Sequence, residues 1–127
     1  MIRTCRHIDV EQRGDVFCVR LCQPRLDEPM IYELAADLRS LVTDSGRRKM
    51  ALSLGPESPE CLYSVFLAKL ITLQRVIREH GGELVFCHAQ PAVRNIFEAC
   101  CVDHLFRFLP SFEAAVAYWT KGMPGGE

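Results

Sequence analysis

The alternation of two apolar runs with one amphipathic helix constrains the fold of this chain more than any other feature. The runs cover residues 50–54 and 83–89, and each is short enough for a buried strand. Between them, apolar residues recur at three- and four-residue steps: Phe66, Leu67, Leu70, Ile71, Leu73 and Ile77. Gly81-Gly82 then ends the helical pattern. A helix that joins two buried strands indicates parallel pairing through a crossover connection.

The residues before this unit predict a hairpin and a helix. Residues 8–10 and the alternating run 15–22 flank a turn that contains Gly14. A helical pattern then covers about residues 29–44, and Asp27 is placed to cap its first turn. The hairpin and the helix therefore precede the first buried strand of the crossover unit.

The residues after the unit predict two more helices and one more strand. One helix opens at Gln90-Pro91, and Ser111 caps the other. Residues 105–109 lie between them and have the pattern of a short edge strand. The expected fold class is therefore α/β, a single-domain mixed β-sheet of 4–5 strands with about four helices, in the order β-β-α-β-α-β-α-β-α.

The start of the central helix has two candidate caps. Ser58-Pro59-Glu60 combines a capping hydroxyl, a proline suited to a first helical position and an acid suited to a first turn. Ser64 directly precedes the apolar periodicity and is the second candidate. We favour a turn at 56–61 and a main helix that begins at about Ser64. This loop between a strand and a helix is the kind of segment in which α/β proteins place their functional residues.

Charge and hydropathy argue against nucleic-acid and membrane partners. The net charge is −1, from 15 basic and 16 acidic residues, so no basic footprint for nucleic acid is expected. The apolar runs are shorter than the roughly 20 residues that a membrane span needs. The first twelve residues lack the apolar segment of a signal peptide. We therefore expect a cytoplasmic protein with a domain at 1–120 and a flexible tail at 121–127, and the oligomeric state stays open.

The chain contains seven cysteines, a high number for 127 residues. They are Cys5, Cys18, Cys22, Cys61, Cys87, Cys100 and Cys101. The number is odd and no C-x-x-C motif is present, so neither a disulfide framework nor a zinc site is favoured. We expect reduced thiols that pack as small hydrophobic side chains, with a metal or redox site as the alternative.

The search for catalytic motifs gives no positive residue evidence for an enzyme. The sequence contains no phosphate loop, no H-E-x-x-H and no G-x-S-x-G, and it predicts neither a cofactor nor a bound metal. His88 lies at a strand end, where a histidine can be functional, but Cys87 and His88 are neighbours on a strand and point to opposite faces. A thiol- or histidine-dependent enzyme that uses Cys61 or His88 remains a distant alternative.

Several short segments, taken together in their order and spacing, match one family. A glycine pair, an apolar strand and a proline-led helix match at Gly81, Gly82, Leu84, Val85, Pro91, Val93, Ile96 and Phe97. Leu26 and Asp27 match a G-x-L-D segment, in which Pro24 replaces the glycine. Across about residues 8–119 the chain resembles the STAS domains of bacterial anti-sigma factor antagonists.

The resemblance implies a phosphorylation site on the central helix. The D-S-x-G segment of such domains, whose serine is phosphorylated by an anti-sigma kinase, falls on residues 63–66. Ser64 then occupies the acceptor position, while Tyr63 replaces the aspartate and Phe66 replaces the glycine. Ser53-Leu54 stands where the family has D-L or N-L at a strand end.

The resemblance also implies a regulatory protein-binding domain without catalysis. Its partner would be an anti-sigma factor or a serine kinase of the histidine-kinase-like ATPase type, bound through residues 56–66 with help from 24–28. The expected partner contacts are Arg25, Asp27, Glu57, Ser58, Glu60, Tyr63, Ser64, Val65 and Leu67. The alternative is the same fold used as a scaffold without a phosphorylation switch.

Overall fold

The structure is a computed structural model that describes residues 2–4, 7–45, 49–55 and 57–121. The strands are β1 (Ile2–Thr4), β2 (Ile8–Arg13), β3 (Val16–Leu21), β4 (Arg25–Leu26), β5 (Lys49–Ser53), β6 (Glu60–Cys61), β7 (Glu83–Cys87) and β8 (Arg107–Leu109). The helices are α1 (Glu28–Ser45), α2 (Tyr63–Glu79), α3 (Pro91–Ala99) and α4 (Phe112–Lys121), and a 3₁₀ turn covers Asp103–Leu105.

Most strands join one mixed sheet, which confirms the predicted fold class. The strand order among the described residues is β1-β2-β3-β5-β7-β8, and β4 pairs with β6 in a separate small sheet. The β1-β2-β3 pairs are antiparallel, whereas β3-β5, β5-β7 and β7-β8 are parallel. The short edge strand β1 and the β4-β6 pair were not anticipated, because strands of two or three residues are too short to show alternation.

The predicted hairpin is confirmed, and its turn depends on Gly14. Arg13 pairs directly with Val16, so only two residues connect β2 to β3. Gly14 has a φ of 63°, in the left-handed region that glycine adopts without a steric cost. Such a tight turn sets the register of the two strands.

Helices cover both faces of the sheet. Helices α1, α2 and α3 pack on one face, where alternate strand residues such as Val19, Leu52 and Phe86 form the larger core. Helix α4 covers the other face, where Cys18, Ala51 and Val85 meet Phe112 and Trp119. This two-sided burial explains why β5 and β7 are continuously apolar in sequence.

One buried polar side chain fixes α2 against the sheet. Gln74 is only 3% exposed, although it lies in the middle of an amphipathic helix. Its Nε2 donates to the carbonyl oxygens of Leu84 and Leu105, at 3.1 and 2.9 Å, and its Oε1 accepts from the Leu84 N–H at 2.8 Å. These bonds hold α2 against β7 and thereby position the whole helix, including its first turn.

The cysteines divide into buried and exposed groups. Cys18 and Cys87 are buried and Cys61 is partly buried, as expected for packed thiols. Cys22, Cys100 and Cys101 are exposed, so the expectation that the thiols are packed is wrong for these three, which lie in a bend and in a turn after a helix. Cys5 lies outside the described residues. None of the six cysteines that the structure describes forms a disulfide.

Two further observations limit what the described part of the chain contains. Within those ranges, no helix has both the length and the apolar character that a bilayer-spanning segment requires. Among the same residues, no cluster of three or more His, Cys, Asp or Glu side chains could hold a metal ion. Helix α4 includes Lys121, the first residue of the predicted tail, and residues 122–127 lie outside the described ranges.

Candidate functional site

The carboxyl ends of the parallel strands β3, β5 and β7 lie at one edge of the sheet. In open α/β sheets, this edge is where binding sites form. The segment that leaves β5 there includes residues 57–62, which we call the docking loop. Pro56, within the predicted site at 56–66, lies outside the described residues.

A two-stranded pairing joins the docking loop to the segment before α1. Arg25 and Leu26 of β4 pair in parallel with Glu60 and Cys61 of β6. The Glu60 N–H donates to the Pro24 carbonyl oxygen at 2.7 Å, and Arg25 Nε lies 3.6 Å from Glu60 Oε1. The two segments that the sequence places in one site are therefore neighbours in the structure.

Helix α2 starts at Tyr63, which agrees with a main helix from about residue 64. Ser64 is not its cap, however. Leu62 is the N-cap residue, none of the side chains that the structure describes caps the helix, and its first turn contains no acid. Ser64 is the second residue of the helix and is exposed. The expectation that its hydroxyl caps the helix is therefore wrong, and the helix N-terminus keeps its partial positive charge without a side-chain acceptor.

Most of the expected partner contacts reach the surface. Ser58, Tyr63 and Val65 are partly buried. Arg25, Asp27, Glu57, Glu60 and Ser64 are exposed. Leu67 is the exception, because it is only 4% exposed and belongs to the core. Its assignment as a partner contact is corrected: its position in the helical stripe faces the sheet.

Asp27 is exposed and also caps helix α1. Its Oδ1 accepts from the Met30 N–H at 2.9 Å, which confirms the predicted cap of α1. Its carboxylate therefore helps to fix where α1 begins, at the same edge of the sheet as the docking loop.

Sequence reasoning missed Leu62, which is 54% exposed and directly precedes the helix. The sequence did offer one indication of this contact point, since Leu62 is a large apolar residue at the end of a loop, next to a helix N-terminus. Exposed apolar side chains of this size are common contact points in protein interfaces.

Sequence reasoning also missed a contact between the ends of β5 and β7. Ser53 Oγ lies 2.9 Å from His88 Nδ1, and it bonds to the carbonyl oxygen and N–H of Gly55 at 2.9 and 3.3 Å. A Cβ added at Gly55 would lie 2.4 Å from the His88 carbonyl oxygen. We call Ser53, Gly55 and His88 the strand-end clamp. The clamp could not be predicted from the sequence, because Ser53 and His88 are 35 positions apart.

Comparison with known proteins agrees with this geometry. No protein-family model matches the chain. BtrV of Bordetella bronchiseptica, a protein classed as an anti-sigma factor antagonist, is 33% identical over 92 residues, which cover 72% of this chain and 77% of BtrV. The chain belongs to the anti-sigma factor antagonist family.

Solved structures of STAS-type antagonists have the same fold. TM1081 of Thermotoga maritima, also classed as an anti-sigma factor antagonist, superposes with a TM-score of 0.71 at 16% identity, covering 84% of this chain and 89% of TM1081. Phosphorylated SpoIIAA of Bacillus superposes with a TM-score of 0.64 at 14% identity, covering 84% and 95%. At these identities the likeness concerns the fold.

Two residues that the resemblance places on the D-S-x-G segment are used in packing. Phe66, expected at the glycine position, is 1% exposed and belongs to the core. Tyr63, expected at the aspartate position, meets it edge to face with ring centroids 5.9 Å apart, and its hydroxyl donates to the Pro59 carbonyl oxygen at 2.6 Å. Burial, with a smaller effect from Cys61, raises the pKa of Tyr63 to about 12.

The thiols near this site are poor nucleophiles. Burial raises the pKa of Cys61 to about 11 and that of Cys87 to about 12. Both groups therefore stay protonated near neutral pH, whereas the thiolate is the reactive form. His88 Nδ1 is bonded to Ser53 and not to a thiol. The geometry does not favour the alternative of a thiol-dependent enzyme.

Proposed function

We propose that this chain binds an anti-sigma factor, or a serine kinase of the histidine-kinase-like ATPase type, through the docking loop and the first turn of α2. The observation that carries the proposal is the joint exposure of Leu62 and Ser64 at a helix start without a side-chain cap. Leu62 supplies an apolar contact and Ser64 a hydroxyl that a kinase can reach. Arg25, Glu57 and Glu60 add charges around them.

Phosphorylation of Ser64 is the proposed switch. A phosphate adds between about 1.5 and 2 negative charges at pH 7. The N–H groups and the partial positive charge at the start of α2 favour an anion at this position, so the helix N-terminus stabilises the phosphate group. Glu57 and Glu60 make the same surface more negative, and a partner surface suited to the unmodified chain is then repelled. That one relative has been solved in a phosphorylated form supports this proposal.

A second candidate is a scaffold that binds the same partner without a switch. The packing of Tyr63 and Phe66 favours it, because both rings tie the first turn to the body of the protein. A kinase that must draw Ser64 out of this turn would meet resistance from those contacts. The two candidates share the surface and differ only in the chemistry at Ser64.

One experiment separates the candidates. The chain is incubated with ATP and each purified anti-sigma factor kinase of its own organism, and its intact mass is measured. We expect one added phosphate on the wild type and on Ser58→Ala, and none on Ser64→Ala. Binding is measured by calorimetry before and after the reaction. Binding without phosphate transfer supports the scaffold, and absence of binding to every such kinase contradicts the proposed function.

A further inference from the structure

We propose that the strand-end clamp positions the docking loop, so that Ser53 and His88 set the affinity for the partner without contacting it. This inference rests on the proposed function, because it assigns to the loop the binding described above. The clamp lies where the chain leaves β5, only a few residues before the loop. Its members are held by hydrogen bonds and by close backbone packing.

One arrangement of hydrogens satisfies the donor and both acceptor sites of the Ser53 hydroxyl. It donates to the Gly55 carbonyl oxygen and accepts from the Gly55 N–H. Its remaining lone pair then accepts a hydrogen bond from His88 Nδ1–H, which requires the histidine tautomer protonated at that nitrogen. Ser53 is 1% exposed, so water cannot readily replace these hydrogen bonds if they are lost.

The backbone around the clamp leaves little freedom for other arrangements. The Leu54 N–H donates to the Cys87 carbonyl oxygen at 2.9 Å, which extends the β5-β7 pairing past the strand end. His88 has a φ of 60°, which turns the chain away from the sheet directly after β7. Gly55 packs against the His88 backbone so closely that any side chain at Gly55 would displace it.

The next tethers lie along the docking loop itself. The Ser58 hydroxyl donates to Gln90 Oε1 at 3.0 Å, and the Glu60 N–H donates to Pro24 as described above. The loop is therefore held from the β7 side by the clamp and by Gln90, and from the β4 side by β6. Loss of the clamp frees the start of the segment, and the loop then samples conformations that do not fit a partner.

The size of the effect follows from the population of the binding-competent loop. A single hydrogen bond contributes about 1 kcal/mol net. If the clamp biases the loop by that amount, its loss lowers the equilibrium constant for the competent loop about fivefold, and the apparent Kd rises by up to about the same factor, the full factor applying where the other loop conformations predominate. A contact residue of the partner would give a larger loss without a change in loop dynamics.

The test compares three full-length variants. Ser53→Ala removes the shared hydroxyl. His88→Asn keeps a donor, since the Asn amide nitrogen stands where Nδ1 was, and Asn tolerates a positive φ. Ala115→Gly, at a buried position of α4, lowers global stability and changes no residue of the clamp, although Phe112 of the same helix packs edge to face on His88 with ring centroids 5.2 Å apart. Kd is measured with the purified anti-sigma factor kinase that binds the wild type, and hydrogen exchange is measured at the Glu60 N–H.

We expect Ser53→Ala to raise Kd by more than about twofold and up to about fivefold and to speed exchange at Glu60, while His88→Asn and Ala115→Gly bind within about twofold of the wild type. Wild-type affinity in Ser53→Ala, or an equal loss in Ala115→Gly, would overturn the proposal. If the wild type binds no such kinase, the proposed function fails. Hydrogen exchange at the Glu60 N–H then tests by itself whether the clamp positions the docking loop. Faster Glu60 exchange in Ser53→Ala than in Ala115→Gly then supports it, and equal rates overturn it.

Discussion

The side-chain amide of Gln74 bonds to both the N–H and the carbonyl oxygen of Leu84, as one strand residue would bond to another. Leu84 belongs to β7, so a single glutamine joins α2 to the sheet by directional bonds as well as by apolar contact. Directional bonds specify one rotation and one height of the helix, which apolar packing alone specifies less tightly.

We therefore expect Gln74→Leu to destabilise the fold by about 2–3 kcal/mol, because it removes the side-chain partner of the buried N–H and carbonyl oxygen of Leu84. The Leu105 carbonyl oxygen keeps its bond from Arg78 Nη2 at 3.3 Å. Urea unfolding measures the change. Arg75→Leu, at the exposed neighbouring position, is the matched control and should change the free energy of unfolding by less than about 0.5 kcal/mol. Equal effects of the two substitutions would contradict the assignment of Gln74.

The ring of Phe66 is expected to contribute strongly to stability, because it lies in the core. Phe66→Ala should cost about 3–5 kcal/mol, the usual range for removing a buried phenyl ring. Tyr63→Phe, which removes only the hydroxyl bonded to Pro59, should cost about 1 kcal/mol. Thermal or urea unfolding gives both values. A loss below 1 kcal/mol for Phe66→Ala would show that the ring is not part of the core.

Leu62 should matter for binding and not for folding. Its side chain is 54% exposed, so Leu62→Ala should leave the melting temperature nearly unchanged. It should weaken binding to the anti-sigma factor kinase about tenfold, as apolar interface residues commonly do. Tyr32→Ala, at the other large exposed apolar side chain, is the control, because Tyr32 lies on α1 and outside the docking loop. Equal losses from both variants would refute a specific contact at Leu62.

The environment of His88 predicts a pH dependence of stability. Burial, and then repulsion from Arg20, lower its pKa below the usual 6.5, and Glu113 opposes this weakly. The folded state therefore binds fewer protons than the unfolded state in the window below about pH 6.5. Stability from this group is present above that window and is lost as the pH falls through it.

His88→Asn removes the titrating group and supplies the measurement. The difference in free energy of unfolding between wild type and His88→Asn should be constant above about pH 7 and should shift against the wild type toward pH 5. Urea unfolding at several pH values tests this. A difference that stays constant down to pH 5 would show that the pKa of His88 is not lowered.

Much of the fold could be predicted because the decisive signals were local. The periodicity of α1 and α2, the apolar runs of β5 and β7 and the glycine turn of the hairpin are each contained in a few consecutive residues. The cap of α1 by Asp27 is local in the same sense. Ser64 could be placed near the start of α2, but its exact position could not, because no side-chain cap marks that start.

The sequence by itself determined the order of the longer elements and the two-sided burial of the central strands, and it indicated that Phe66 and Leu67 lie in the apolar stripe of α2. Tertiary structure alone decided that Leu62 faces solvent and that Ser53 meets His88. It also decided that the Gln74 amide bonds to Leu84 and Leu105. The physical reason is that these contacts join residues on different elements, whose distance depends on how helices and strands pack and not on their spacing in the chain.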